Sequence, residues 1–375
     1  MIKRLIEKKI EEKLFSKKAI IVIGPRQTGK TTLVKNILSK RTEPVLFIDG
    51  DSPVTYRLLN RPTPAQLKQI IGNNKIVFID ETQRIPDIGI TCKIIIDSFS
   101  DVQLIISGSS SFELRQKMHE PLTGRKWTYH LYPVSWAELQ DEIGYLQAEE
   151  TLETRLVFGF YPDILNHPQE EERVLKELTE SYLYKDVLLY ANLKKTEEIQ
   201  KLLQALSFQV GYEVSYSELS ETTGLDPKTV DKYITVLEQA FVVFRLGAFK
   251  RNLRNEIKKN RKIYFYDNGV RNAVIGQFQH FQIRNDKGAL WENFLVSERL
   301  KWLSYNHIYA NTYFWRTTQQ QEIDYIEERN GKISAYEFKL NSKKNFKFST
   351  TFTKEYNSDN KLINRDNFRD FVAPI

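Results

Sequence analysis

The sequence predicts an α/β protein that begins with a parallel sheet covered by helices on both faces. Three observations favour this fold class. Four apolar segments typical of buried strands alternate with helical stretches in the first part of the chain. A helical segment then leads into two short helices and two strands, and the chain ends in a helix followed by three strands. In a chain of 375 residues, this pattern predicts three domains, at 1–145, 146–280 and 281–375.

The composition is that of a globular protein with a basic excess. Apolar residues make up 41% of the chain and charged residues 27%. The formal net charge is +7, and Lys and Arg are dense at 249–262 and 339–348, which favours contact with a polyanion such as DNA. Solvated loops are the alternative for each run. The single cysteine, Cys92, excludes an internal disulfide and a cysteine-based zinc site and indicates a reducing compartment.

The hydropathy pattern favours a cytoplasmic protein. The stretch "MIKRLIEKKIEEKLF" places apolar residues at helical spacing among both Lys and Glu. This spacing predicts an amphipathic surface helix rather than a signal peptide. No run approaches the roughly 20 apolar residues that a membrane span needs. We therefore expect no membrane contact.

The first predicted strand, in "AIIVIGPRQTGKTTL", leads into Gly-x-x-x-x-Gly-Lys-Thr and then into a helical pattern. The glycines let backbone N–H groups surround phosphates, and the dipole at the helix N-terminus favours their negative charge. The lysine would reach the β- and γ-phosphates, and the following threonine would ligate Mg²⁺. The sequence therefore predicts a nucleotide site formed by Gly24, Pro25, Arg26, Gln27, Thr28, Gly29, Lys30, Thr31 and Thr32.

An acidic motif follows the third predicted strand. In "KIVFIDETQRIP" the buried strand ends in Asp80 and Glu81. The Asp would hold Mg²⁺ and the acid after it would polarise the attacking water, unless the strand merely ends in polar residues. Ser107 ends the next strand and would sense the γ-phosphate. Because ligands bind at the carboxyl ends of parallel strands, these residues should converge with Lys30, which favours ATP hydrolysis.

Arg125 lies in the loop before a fifth predicted strand, in "LTGRKWTYHLYPVSW". An arginine in that region would sense the γ-phosphate in cis or reach the nucleotide of a neighbouring subunit in a homo-oligomer. A plain surface arginine is the alternative.

Together, "GPRQTGKTTL", "FIDETQRIP", "LIISGSSS" and "LTGRKWTYHLYPVSWAEL" resemble a bacterial and archaeal group of AAA-superfamily ATP-binding proteins. The similarity continues through "GFYPDIL", "KIYFYDNGVR", "GALWENFLVSERL" and "AYEFK". It implies a P-loop ATPase, a helical segment, a winged helix and a restriction-endonuclease-like end. Gln27 departs from the basic residue of many relatives, and the chain after about residue 345 matches poorly. The resemblance carries over Gly24, Gly29, Lys30, Thr31, Asp80, Glu81 and Arg125 as nucleotide-site positions.

The segment "SYSELSETTGLDPKTVDKYITVLEQAFVVFRL" has the rhythm of a winged helix-turn-helix, with Asp226 as the cap of the second helix. Such a helix can enter the DNA major groove. Lys228 and Lys232 would then face the phosphate backbone. Thr229 or Tyr233 would face the bases. A module that contacts protein is the alternative.

The last predicted domain carries acids on a helix and on two strands. Glu292 lies in "GALWENFLVSERLKWL", Asp324 on the second following strand, and Glu337 and Lys339 on the third. Residues two apart on a strand share a face, so Glu337 and Lys339 should point together. Carboxylates that converge on Mg²⁺ activate water for phosphodiester cleavage. The sequence thus predicts a nuclease-like core with these four residues as a candidate metal centre, and a solvated charged hairpin is the alternative.

Three functions follow from these predictions. The first is hydrolysis of ATP with Mg²⁺, coupled to C-terminal domains that contact DNA. The second is an ATP-gated, Mg²⁺-dependent DNA nuclease. The third is a nucleotide switch that binds only protein partners.

Overall fold

The computed structural model describes residues 2–109, 121–180, 196–250, 261–317, 319–341 and 346–374. The chain divides into two compact units. Unit 1 comprises 1–133 and 239–241, and unit 2 comprises 134–238 and 242–375. Among the described residues, no helix combines the length and the apolar character that a membrane crossing requires.

Unit 1 is built on five parallel strands in the order β2-β3-β4-β1-β5. Strands β1 (Ala19–Ile23), β3 (Ile76–Asp80) and β4 (Gln103–Gly108) are buried along their whole length, as their continuous apolar sequences require. The edge strands β2 (Val45–Asp49) and β5 (Lys126–His130) are partly exposed. The predicted α/β fold class is confirmed. The helices of this unit are α1 (Ile6–Glu11), α2 (Lys30–Ser39), α3 (Pro53–Leu59), α4 (Pro64–Ile71) and α5 (Ile88–Ser98).

Unit 2 begins with helices where the sequence predicts a helical segment. The first of them starts with a capping box, in which the Ser135 hydroxyl accepts from the backbone N–H of Glu138 and the Glu138 carboxylate accepts from that of Ser135. Residues 181–195 lie outside the described part of the chain. The helices are α6 (Trp136–Ile143), α7 (Tyr145–Phe158), α8 (Pro162–Asn166), α9 (Glu171–Leu178) and α10 (Thr196–Phe208).

Two further helices, α11 (Tyr216–Thr223) and α12 (Pro227–Gln239), precede an antiparallel pair of strands, β7 (Val243–Ala248) and β8 (Arg261–Phe265). Asp226 caps α12, since its carboxylate accepts from the backbone N–H groups of the next helical turn. This order is the one predicted for a winged helix, an assignment that stays a prediction. Most of the predicted tip of the wing, residues 251–260, lies outside the described residues.

Strands from both predicted C-terminal domains form one seven-stranded sheet in the order β12-β11-β10-β9-β7-β8-β6. The link is a short parallel pairing of β7 with β9, at Gly247–Tyr313 and Ala248–Phe314. The predicted segments 146–280 and 281–375 are therefore continuous in one unit. Its remaining elements are β6 (Glu213–Val214), α13 (Asn268–Val274), α14 (Lys287–Tyr305), β9 (Asn311–Arg316), β10 (Glu322–Arg329), β11 (Lys332–Phe338), α15 (Thr350–Glu355), β12 (Ser358–Ile363) and α16 (Phe368–Val372).

Candidate functional site

The loop between β1 and α2 forms a cradle of backbone at the carboxyl end of the parallel sheet. Gly24 is required there, because a Cβ atom at this position would lie 2.0 Å from the carbonyl oxygen of Leu131. Gly29 adopts a left-handed φ of 88° just before the helix. The hydroxyl of Thr28 is buried and donates to the carbonyl of Pro25 at 2.9 Å. The loop therefore holds its own shape before any phosphate binds.

Lys30 lies in this cradle as the sequence predicts. Its Nζ is buried and donates to the carbonyl oxygens of Gly24 at 3.0 Å and Pro25 at 2.6 Å. A phosphate group bound in the loop would compete with these carbonyls for the same ammonium. Gln27 and Thr32 are exposed, so the departure at Gln27 falls on the solvent side.

Thr31 and Ser107 both bind Asp80. The hydroxyl of Thr31 donates to Oδ2 of Asp80 at 2.6 Å, and that of Ser107 donates to Oδ1. The Asp80 carboxylate is buried at the end of β3, beside the phosphate loop. Hydroxyl and carboxylate oxygens are the ligands that Mg²⁺ prefers. The residues present thus fit a magnesium ion, and Thr31 and Asp80 would hold it.

Glu81 follows Asp80 with a φ of 46°, in the left-handed region that few non-glycine residues adopt. Its carboxylate accepts from Nε2 of Gln83, and the same nitrogen donates to the hydroxyl of Ser109 at 2.9 Å. Both Gln83 and Ser109 are buried. Sequence reasoning missed this pair. The sequence did contain a signal for this pair, because Ser109 follows Ser107 and Gly108 at the carboxyl end of β4, where ligands bind.

Arg125 is not brought to this site. Strand β5 runs parallel to β1, and the carbonyl of Arg125 accepts from the N–H of Ala19 at 2.9 Å. The phosphate loop follows Ile23 at the other end of β1, roughly 15 Å away along the strand. The Arg125 guanidinium instead binds Asp97 at 2.8 Å. The predicted role in cis is therefore wrong in this arrangement, because Arg125 lies at the amino end of the sheet. The role in trans stays a prediction.

Unit 2 contains a second cluster of charged side chains, on β10 and β11. Asp324 and Glu337 lie close enough that the charge of Asp324 raises the pKa of Glu337. The Lys339 ammonium lies 3.3 Å from Glu337 and 3.9 Å from Asp324. Asp324 also accepts from the backbone N–H of Phe338 at 2.8 Å. Three of the four side chains of the predicted metal centre therefore lie together.

The fourth, Glu292, is bound by two residues of β8. It accepts from Nζ of Lys262 at 3.0 Å and from the hydroxyl of Tyr264 at 2.6 Å. Lys262 also lies 2.6 Å from Glu322 of β10. Strands β8 and β10 are three positions apart in the sheet, about 14 Å if the sheet were flat, and the buried Lys262 ammonium connects them. Sequence reasoning assigned Lys262 to the exposed basic run 249–262 and so missed it.

Burial shifts the pKa values of this cluster. Desolvation raises the pKa of Glu292 to about 7, although the Lys262 charge opposes the shift. Desolvation and the Asp324 charge raise the pKa of Glu337 to about 8. Burial lowers the pKa of Lys262, but the charges of the surrounding carboxylates outweigh burial and raise it overall. Lys262 therefore stays charged, while two of the carboxyl groups titrate near neutral pH.

The predicted metal centre is incomplete as it stands. Across the described ranges, no three His, Cys, Asp or Glu side chains are placed to hold one ion. The carboxylate of Glu292 is bound by Lys262 and Tyr264, and Lys339, as an ammonium, has no lone pair to offer a metal. Asp324 and Glu337 therefore supply two neighbouring carboxyl groups beside Lys339, and a metal centre formed by Glu292, Asp324, Glu337 and Lys339 stays a prediction.

The predicted DNA-facing residues of α12 separate into two groups. Lys228 and Lys232 are exposed, as a backbone contact requires. Tyr233 is only 5% exposed, so the expectation that it faces bases is wrong: its position falls on the apolar face of the helix. The hydroxyl of Thr229 donates to Asp226 within the helix cap.

Comparisons with known protein families divide the chain into three parts. Residues 16–140 match an AAA domain family. Residues 149–280 and 287–370 match two families described as domains of unknown function, DUF8612 and DUF4143.

The chain is similar to an uncharacterized protein of Mycobacterium tuberculosis, with 27% identity over 327 residues, 86% of this chain and 70% of that protein. It is similar to one of Methanocaldococcus jannaschii, with 23% identity over 319 residues, 79% of this chain and 69% of that protein. Among solved structures, the Walker-type ATPase of Pyrococcus abyssi matches with a TM-score of 0.50 and 15% identity, over 73% of this chain and 96% of that one. At this identity the likeness concerns the fold alone. Residues 16–140 are therefore similar to AAA domains, and the fold resembles that of a Walker-type ATPase.

Proposed function

We propose that the protein binds ATP with Mg²⁺, hydrolyses it, and couples hydrolysis to its C-terminal unit. The observation that carries this proposal is the convergence of Thr31 and Ser107 on Asp80 beside the phosphate loop. A strand that merely ended in polar residues would not gather hydroxyl groups from two other elements on one buried carboxylate.

Each residue then has a distinct task. Lys30 exchanges its carbonyl partners for phosphate oxygens, and Thr31 and Asp80 hold the ion, which neutralises phosphate charge when bound. Glu81 accepts the proton of the attacking water as a general base. Ser107 contacts the γ-phosphate.

Steady-state hydrolysis and binding of a fluorescent ATP analogue test this proposal. Lys30→Ala should lose both, since a phosphate contact is removed. Glu81→Gln should keep binding and lose about 10²- to 10⁴-fold in kcat, the usual contribution of a general base. Lys35→Ala is the matched control, because Lys35 is exposed on the same helix. Equal hydrolysis by wild type and Lys30→Ala would sink the proposal.

For the C-terminal unit we propose DNA as the partner. The net charge of +7 and the exposed lysines of α12, Lys228 and Lys232, support it. Binding of a labelled duplex should weaken as salt rises, and the double charge reversal of Lys228 and Lys232 to Glu should weaken it further and flatten the salt dependence. If no duplex binds even at low salt, the protein is better described as a nucleotide switch with protein partners only.

The nuclease alternative rests on Asp324, Glu337 and Lys339, which lie together, whereas Glu292 is bound by Lys262 and Tyr264. Incubation of plasmid with the protein, Mg²⁺ or Mn²⁺, and ATP decides the matter. Nicking that Asp324→Ala abolishes would restore this alternative.

A further inference from the structure

We propose that Gln83 is the positioning residue of the ATPase site, fixing the Glu81 carboxylate for proton transfer. This inference rests on the proposed hydrolysis and adds a residue to it. Gln83 lies in the short 3₁₀ turn Thr82–Arg84, which Glu81 starts with its left-handed backbone. The turn brings the amide of Gln83 back onto the carboxylate two residues before it.

The direction of the hydrogen bond matters. Nε2 of Gln83 donates to Oε2 of Glu81, so the amide fixes the orientation of this carboxylate. A general base needs a fixed orientation, because it must aim a lone pair at the water whose proton it takes. A carboxylate on a flexible side chain at a strand end would otherwise rotate. Misplacement by about 1 Å costs on the order of 10²-fold in rate.

Gln83 is itself held by the neighbouring strand. The same Nε2 donates to the hydroxyl of Ser109 at 2.9 Å, and both residues are at least 96% buried. Ser109 comes two residues after Ser107, which binds Asp80. The end of β4 therefore connects to both acids of β3, to Asp80 through Ser107 and to Glu81 through Ser109 and Gln83.

The structural role of a buried glutamine must be separated from its action on Glu81. Gln83→Ala removes the amide and leaves a small gap. Gln83→Glu keeps the shape and replaces the donor with a second carboxylate, which cannot donate to Glu81 and repels it. Ser109→Ala removes one of the two acceptors of the amide. Gln69→Ala is the matched control, since Gln69 is exposed on α4 of the same unit.

The experiment measures kcat and KM for ATP, affinity for a fluorescent ATP analogue, and thermal melting for each variant. Gln83→Ala should lose about 10- to 100-fold in kcat with affinity changed less than about threefold, and Ser109→Ala should lose less. Gln83→Glu should lose kcat at least as far as Gln83→Ala, because it keeps the shape of the side chain and removes the donor. Gln69→Ala should match wild type.

Three results would overturn the inference. In the first, Gln83→Ala keeps kcat within about threefold of wild type while Glu81→Gln is inactive. In the second, Gln83→Ala and Gln83→Glu lose ATP affinity and thermal stability together with kcat, which assigns the residue to packing. In the third, wild type itself does not hydrolyse ATP, which removes the proposed function as well.

Discussion

Replacing Lys262 with Met tests whether the stability of unit 2 depends on one buried charge. Methionine keeps the apolar stem of the side chain and removes the ammonium. The ammonium binds Glu292 at 3.0 Å and Glu322 at 2.6 Å from a side chain with no exposed surface. Removing one partner of a buried ion pair costs about 3–5 kcal/mol, because the other charge is left without compensation.

The cost should depend on pH. The folded-state pKa of Glu292, about 7, lies above the ordinary value of 4.5, so this group disfavours folding as pH rises from about 4.5 to 7. Lys262 opposes that upward shift, and without it Glu292 takes up a proton more readily. Protonation of Glu292 removes its uncompensated charge, and this occurs only at low pH. The loss of stability in Lys262→Met should therefore be near the full 3–5 kcal/mol at pH 9 and clearly smaller at pH 6.

Urea unfolding followed by tryptophan fluorescence provides the measurement, since unit 2 contains Trp136, Trp291, Trp302 and Trp315. Lys361→Met is the control, because Lys361 pairs with Asp359 on an exposed part of the same sheet and should change stability by less than about 0.5 kcal/mol. A loss below about 1 kcal/mol, or an equal loss at pH 6 and pH 9, would refute the reasoning.

Three further predictions concern single positions. Gly24→Ala should abolish binding of a fluorescent ATP analogue, since its Cβ would lie 2.0 Å from a backbone oxygen, whereas Gly288→Ala, with open space around it, should bind normally. Glu337→Gln removes a carboxyl group whose pKa is raised to about 8, and this raised pKa makes wild type lose stability as pH rises from about 4.5 to 8. The stability of the variant in urea, relative to wild type, should therefore be higher at pH 9 than at pH 6. Arg125→Ala should leave affinity for the ATP analogue unchanged. The kcat of Arg125→Ala should fall below that of wild type only at protein concentrations where the chain assembles into oligomers. A lower kcat in the monomer would contradict the placement of Arg125 at the amino end of the sheet.

The proposed nucleotide site was predictable because the sequence information that specifies it is local. The loop before Lys30 is a continuous motif, and the rule that ligands bind at the carboxyl ends of parallel strands predicts that Asp80 and Ser107 meet there. Applying this rule to Arg125 requires knowing where strand β5 begins. Arg125 stands just before β5 rather than after it, so parallel pairing carries it to the opposite end of the sheet. The position of Lys262 beside Glu322 depends on the pairing of β7 with β9. That pairing covers only two residue pairs and leaves no periodic signal, so the contact could not be predicted from the sequence.

The segments "KIYFYDNGVR" and "GALWENFLVSERL", prominent in the resemblance to other sequences, contribute mainly to structure. Asn293 accepts from the backbone N–H of Phe265 at 2.7 Å, donates to its carbonyl at 3.0 Å, and donates to the Asn268 side chain at 2.7 Å. Asp267 accepts from the N–H of Phe160 at 2.7 Å, which ties a third segment to the same network. These buried polar groups are satisfied by one another and by backbone, so removing one leaves others unpaired. Because Glu292 comes one residue before Asn293, this hydrogen-bond network holds it against β8. These two segments therefore have a structural role in this hydrogen-bond network, and a role in catalysis has to be argued from the charge cluster itself.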